Sequence, residues 1–160
     1  MIKIFFTPTR IQIFTITLYL HPMARVLAID YGNKRVGLAV TDPDQIIASG
    51  LTTVHSSELM TFLQNYCAKE KVEVFVVGDP RRLNNEANEM TKIVNDLVIN
   101  LGRKFPDKKI VRIDERFTSV MAAQTLVMSG LKKKDRQKKE LLDEVSATII
   151  LQSYLQQIGR

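Results

Sequence analysis

The 160-residue sequence has only one cysteine and two histidines. A single cysteine, Cys67, excludes an internal disulfide and a zinc site built from cysteines. Cys67 falls in an apolar helical pattern with no histidine near it, so we expect a buried structural thiol. His21 and His55 are far apart and lack the spacing of metal ligands. Any metal must therefore be held mainly by oxygen, which favours magnesium or manganese over zinc.

The sequence also lacks an uninterrupted long apolar run. Its most apolar stretch, residues 1–22, is broken by Pro8 and Arg10, is too short to span a bilayer and has no small-residue cleavage site. It contains no acidic residue, and the pattern of a globular domain begins directly after it, at Met23. We therefore expect residues 1–22 to be an extension, residues 23–160 to form one domain, and the protein not to associate with a membrane.

The net charge of +6 is unevenly distributed. Residues 23–102 hold 8 basic and 10 acidic residues, whereas residues 103–139 hold 12 basic and 4 acidic residues. A regional excess of positive charge is typical of a surface that binds a phosphate backbone, although a solvated basic face without a ligand gives the same pattern.

The alternation of apolar runs and turn residues predicts an α/β domain. The predicted strands are residues 25–29, 36–40, 46–54, 72–77 and 109–113, and the predicted helices are residues 56–69, 86–104, about 118–128 and 138–157. The apolar side predicted for the last helix consists of Leu141, Leu142, Val145, Ile149 and Leu155. This order favours a mixed sheet, with a three-strand antiparallel meander plus two parallel strands, flanked by helices.

Asp30 lies inside the apolar segment VLAIDYGNKRVGLAV. Burying an isolated carboxylate is costly, so such a residue usually has a metal, a cation or a hydrogen-bond donor as partner. Asp114 and Glu115 follow a predicted strand, at the edge where α/β folds bind ligands. Alternation along the strand lets only one of these two acids point at a site shared with Asp30, and the sequence leaves both open.

Asp143 lies on the last predicted helix and is followed one turn later by Ser146 and Ala147. These small side chains would let the helix lie close to the sheet and bring its carboxylate to the others. Three or four acids with almost no histidine predict an oxygen cage for one or two Mg²⁺ or Mn²⁺ ions, which can activate water and stabilise the leaving oxygen of a phosphodiester. Each acid alone is weak support, because a strand-end acid is often a cap or a surface ion pair.

Four segments in order, AIDYGNKRVGLAVTD, VVGDP, RIDERFTS and LKKKDRQKKELLDEVSATIILQSYL, together resemble the YqgF family of Holliday-junction-resolvase-like nucleases. The resemblance runs from Met23 almost to the C-terminus and implies a ribonuclease H-like fold. It further implies a small cytoplasmic bacterial protein, a metal-dependent nuclease that processes the 5′ end of precursor 16S ribosomal RNA. Structured RNA is then the expected partner, branched DNA is an alternative substrate, and the protein is a monomer or a homodimer.

The resemblance also assigns roles to residues. Asp30, Glu115 and Asp143 take the catalytic and metal-ligand roles, with Asp114 as the alternative to Glu115. The candidate nucleic-acid contacts are Lys34, Arg35, Arg116, Thr118, Lys132, Lys133 and Lys134. For the lysines, solvated loop charges explain the pattern equally well.

Asp79 departs from the family, which usually has an apolar residue there, and RRLNNEANE replaces the usual glycine-rich stretch that follows. We interpret Asp79 as a turn residue, with a further metal-side carboxylate as the alternative.

Two other functions fit part of the pattern. A nucleotide-binding ATPase or sugar-kinase half also uses an Asp-x-Gly hairpin, but the sequence has neither a second such hairpin nor a Walker-type lysine loop. A non-catalytic nucleic-acid-binding module would keep the basic surface, but acids in its groove would repel phosphates.

Removal of residues 1–22 is expected to leave the domain folded, because the globular pattern begins at Met23. A chain starting at Met23 should unfold cooperatively, with the Tm of the full chain in thermal melts followed by circular dichroism. Loss of the cooperative transition would show that the domain needs the extension.

Overall fold

The computed structural model describes residues 24–79, 89–114 and 139–160. The elements within these ranges are β1 (Arg25–Tyr31), β2 (Arg35–Thr41), β3 (Ala48–His55), a 3-10 turn (Ser56–Glu58), α1 (Leu59–Lys69), β4 (Val72–Asp79), α2 (Glu89–Lys104), β5 (Lys109–Asp114) and α3 (Lys139–Gln157). The helix predicted over residues 118–128 lies outside the described residues. None of the described helices combines the length and apolar character needed to cross a membrane.

The strands form one mixed sheet in the order β3-β2-β1-β4-β5. The first three strands pair antiparallel as a meander, and β1 pairs parallel with β4, which pairs parallel with β5. Parallel neighbours need a crossover connection, and α1 and α2 occupy the two crossovers. The predicted mixed sheet is therefore confirmed.

Strand ends differ from the sequence prediction where pairing extends or shortens a strand. β3 begins at Ala48, two residues later than predicted, because Ala48 is the first residue paired with β2. β4 continues beyond Val77 to Asp79, because Gly78 and Asp79 still pair with β5.

Two cores cover the two faces of the sheet. One face packs against α1 and α2 and buries Leu27, Ile29, Leu38, Phe75 and Val77, while the other packs against α3 and buries Val26, Ala28, Ala39, Val76 and Ile113. Successive residues of β1 alternate between the two faces, as the pleat requires. Cys67 packs against the first core, and this burial raises the pKa of its thiol. The predicted structural thiol is thus only partly buried.

The buried side of α3 differs from the predicted apolar side. The buried residues are Ser146, Ala147, Ile149, Ile150, Leu151, Tyr154 and Leu155. Leu141, Leu142 and Val145 are only partly buried. At the start of α3, where its backbone lies close to the sheet, small residues face the sheet. Apolar periodicity therefore predicted the wrong contact side for this part of the helix.

The backbone of α3 comes very close to the sheet at Gly37 of β2. A Cβ atom built on Gly37 would lie 2.0 Å from the carbonyl oxygen of Asp143 and 2.4 Å from its carbonyl carbon. Real Cβ atoms do not come this close to backbone atoms, so any side chain at position 37 would push α3 away from β2. Glycine is required here for close packing.

Substitution of Gly37 by alanine is expected to destabilise the fold by about 1–3 kcal/mol, the usual cost of overpacking a close contact. Gly102→Ala is the matched control, because the nearest atom to a Cβ there would be Ile110 Cδ1, at 3.8 Å. That helical substitution should stabilise by about 0.5–1 kcal/mol. Urea unfolding of both variants measures the difference, and equal effects at the two positions would contradict the packing argument.

Candidate metal and nucleic-acid site

Asp30 and Asp143 come together around Gly37. Asp30 is the direct cross-strand partner of Gly37 in the antiparallel β1–β2 pair. Directly opposed residues share a face of the sheet and have Cβ positions about 5 Å apart. Since the Asp143 main chain lies against Gly37, on the α3 face, Asp30 and Asp143 lie on the same side of the sheet and close in space. Ser146 and Ala147, the small residues predicted to let the helix lie close to the sheet, are both buried.

Arg35 binds the carboxylate of Asp143. Its Nε donates a hydrogen bond of 2.7 Å to Asp143 Oδ2, and the two residues are 108 positions apart in the chain. Both side chains are partly exposed, 37% for Arg35 and 23% for Asp143. The hydrogen bond to Asp143, together with its negative charge, raises the pKa of the Arg35 guanidinium. Arg35, predicted as a phosphate contact, is thus an ion-pair partner of a predicted metal ligand.

Thr53 attaches the start of α3 to the sheet. It is the β3 partner of Gly37, and its Oγ1 donates a hydrogen bond of 2.9 Å to the carbonyl oxygen of Glu140. The sequence did not indicate this contact, because threonine is a common strand residue and nothing in the pattern singles out Thr53. The antiparallel register would have indicated it, since it aligns Thr53, Gly37 and Asp30 in one row.

The β1–β2 turn is joined to the residues after β3. Ser56 N–H donates to the carbonyl oxygen of Lys34 at 3.1 Å, and Ser56 Oγ donates to that of Asn33 at 2.9 Å. His55 pairs with Arg35 across β2 and β3 and is therefore on the same face. The turn thus holds Arg35 next to Asp143, with His55 as its cross-strand neighbour on the same face. His55 is a neighbour that sequence reasoning did not assign to the site.

Glu144, next to Asp143, lies over β3. Its Oε2 would be 3.3 Å from a Cβ at Gly50. Burial raises the pKa of Glu144, and the negative charge of Asp143 raises it further. Glu144 therefore packs against the edge of the sheet on the α3 face.

Asp114 and Asp79 lie on the other face. They are direct partners in the parallel β4–β5 pair, and Asp114 follows Ile113, which is buried in the α3-side core. By alternation Asp114 belongs to the α1–α2 face, opposite to Asp30 and Asp143. The structure thus does not bring Asp114, the predicted alternative to Glu115, onto the face of Asp30 and Asp143.

The interpretation of Asp79 as a turn residue is wrong. Asp79 is the last residue of β4, and its side chain is only 5% exposed. Its Oδ1 accepts a hydrogen bond of 2.9 Å from Arg112 on β5. Arg112 also donates a hydrogen bond of 2.6 Å to Asn95 Oδ1 on α2. This partly buried pair joins α2 to the sheet, on the face opposite to Asp30.

The other predicted site residues lie outside the described residues. They are Glu115, Arg116, Thr118, Lys132, Lys133 and Lys134. Within the described ranges, no three or more His, Cys, Asp and Glu side chains are grouped closely enough to hold a metal ion. The described part of the chain thus brings together two of the three predicted ligands, Asp30 and Asp143. Two hard oxygen donors fit the predicted Mg²⁺ or Mn²⁺.

Comparison with known proteins extends over most of the chain. A family model described as RuvX, Holliday junction resolvase, matches residues 24–157. A curated relative from Flavobacterium johnsoniae, named "Putative pre-16S rRNA nuclease", is 55% identical over 133 residues, which cover 83% of this chain and 96% of the relative. A relative of the same name from Bacteroides thetaiotaomicron is 54% identical over 134 residues, which cover 84% of this chain and 97% of the relative.

Among solved structures, RuvC of T. thermophilus, determined in complex with a Holliday junction substrate, superposes with a TM-score of 0.51. The two chains are 12% identical, and the match covers 85% of this chain and 96% of RuvC. At this identity the likeness concerns the fold, and it confirms the ribonuclease H-like architecture. The chain belongs to the RuvX family, the YqgF family of the sequence resemblance.

Proposed function

We propose that this protein is a metal-dependent nuclease that hydrolyses phosphodiester bonds in structured RNA, in the 5′-end processing of precursor 16S ribosomal RNA. The observation that carries the proposal is the convergence of Asp30 and Asp143 at Gly37, from elements more than 100 positions apart in the chain. The names of the relatives supply the substrate. The functional unit is residues 23–160, acting in the cytoplasm as a monomer or a homodimer.

Asp30, Glu115 and Asp143 are the proposed ligands of one or two Mg²⁺ or Mn²⁺ ions. Such a cation, when bound, supplies an activated water and stabilises the leaving oxygen. The chain contributes the geometry. The glycine at position 37 lets α3 carry Asp143 to the strand that carries Asp30, and the turn at Lys34 and Arg35 supplies positive charge for the phosphates beside the scissile bond.

The proposed contacts to the more distant backbone are Arg116, Thr118, Lys132, Lys133 and Lys134. The basic composition of residues 103–139 supports this surface.

A second candidate function is the cleavage of Holliday junctions. It is favoured by the description of the family model and by the fold shared with RuvC. A two-fold-symmetric junction has two scissile positions, so this function would need two active sites and hence a dimer. Cleavage assays on matched RNA and junction substrates separate the two candidates.

Asp30→Asn and Glu115→Gln are expected to reduce cleavage of a precursor 16S rRNA fragment at least about 100-fold in Mg²⁺ or Mn²⁺, because each removes a negatively charged metal ligand. Asp114→Asn is the matched control and should retain cleavage, since Asp114 lies on the opposite face of the sheet. Gel assays of initial rates measure the effect. Cleavage that survives Asp30→Asn would refute the metal site, and salt-sensitive binding without cleavage by the wild type would favour a non-catalytic module.

Asp79→Asn is expected to affect stability rather than chemistry. Its carboxylate is buried and paired with Arg112, and losing a charged hydrogen bond should cost about 1–3 kcal/mol. At a temperature where the variant is folded, its cleavage rate should equal that of the wild type. A folded Asp79→Asn variant with lost metal-dependent cleavage would instead place Asp79 among the metal ligands.

A further inference from the structure

The ion pair between Arg35 and Asp143 conflicts with a role of Asp143 as a metal ligand. Arg35 Nε is 2.7 Å from Asp143 Oδ2, so the guanidinium occupies an oxygen that a cation would use. A guanidinium and a divalent cation on the same carboxylate also repel each other. The two positive groups therefore compete for Asp143.

Asp143 does not depend on Arg35 for its position. Its main chain lies against Gly37, and the helix behind it is packed through the buried Ser146 and Ala147. Thr53 holds the same end of the helix through Glu140. Because the backbone is already fixed, the ion pair acts on the charge of the carboxylate rather than on the placement of α3.

Arg35 can leave Asp143 without disturbing the core. Its side chain is 37% exposed, and its backbone stays in the sheet through its pairing with His55. Rotation of side-chain torsions is therefore sufficient to release the carboxylate. The released guanidinium would remain on the face where Asp30 and Asp143 converge.

We propose that Arg35 is a displaceable counter-ion of the metal site. In the metal-free protein it neutralises Asp143. When the divalent cation binds, Arg35 leaves the carboxylate and its guanidinium contacts a phosphate of the nucleic acid. This inference rests on the proposed function, because it requires Asp143 to be a metal ligand. It assigns Arg35 as a positioning residue that couples metal binding to phosphate binding.

The first test is Mn²⁺ binding to the full chain without nucleic acid, measured from the electron paramagnetic resonance signal of free Mn²⁺. Arg35→Gln should bind Mn²⁺ about two- to fivefold more tightly than the wild type, the range expected when one partly exposed competing ion pair is lost. Lys34→Gln is the matched control, because it removes one positive charge from the adjacent position, which is exposed. Its affinity should change less than that of Arg35→Gln.

If Arg35→Gln binds Mn²⁺ with an affinity equal to or lower than that of the wild type, the inference is overturned. If the wild type binds no Mn²⁺, or if Asp143→Asn binds as well as the wild type, the proposed metal site fails and the inference fails with it. The two failures are therefore distinguishable. Thermal melts of each variant show that the folded protein is being compared.

A second test uses the wild type alone. Nuclear magnetic resonance follows the arginine Nε–H groups during titration with Mg²⁺, and the Arg35 signal should shift and exchange faster with solvent. Arg25 is the control, because its Nε donates a hydrogen bond of 2.8 Å to the carboxylate of Glu70 in a similar ion pair. Arg25 lies at the start of β1, at the end opposite to Asp30. An Arg35 signal that stays unchanged while the Asp143 amide responds to Mg²⁺ would overturn the inference and leave the metal site intact.

Discussion

The contact between α3 and β2 at Gly37 is the constraint on which the rest of this structure depends. The missing Cβ lets the backbone of Asp143 lie directly on the strand. Because Gly37 is the cross-strand partner of Asp30, the same contact determines how close the two carboxylates can come. A larger residue would lift the helix and separate the acids in one movement. Packing of the second core and geometry of the proposed site therefore have a common cause, and neither can change alone.

Strand alternation then divides the acids of the sheet into two groups with different physical roles. Asp30 lies on the face covered by α3, where Asp143 approaches it and Arg35 pairs with Asp143. Asp79 lies on the face covered by α1 and α2, where its buried carboxylate is neutralised by the partly exposed Arg112. Both acids lie near the carboxyl end of an apolar strand, Asp30 next to last in β1 and Asp79 last in β4, so their local sequences look alike. Their roles differ because their side chains leave opposite faces of the same sheet.

The sequence alone was sufficient for the order and type of the described elements, because β-rich runs and helical periodicity report local structure. The sequence predicted strand ends and buried helix sides less accurately, because these depend on contacts with other elements. Gly78 and Asp79 have turn chemistry, yet β5 pairs with both and extends β4. On α3, apolar periodicity pointed to Leu141 and Val145, whereas the sheet contacts the small residues Ser146 and Ala147. Strand register is a relation between distant segments, and a local pattern does not contain it, whereas the small residues of α3 did indicate its close approach.

The charge balance of the site follows from the same register. The sequence count placed the excess of positive charge in residues 103–139, but the cation that contacts Asp143 comes from the β1–β2 hairpin. Arg35 lies two positions before Gly37 and therefore on the same face, so the hairpin that presents Asp30 also presents a counter-ion for Asp143. Converging carboxylates repel each other unless a positive group lies between them. A fold that must exist before it meets a cation needs such a group within the chain. A partly exposed arginine at the start of β2 can supply it and still be exchanged for the cation.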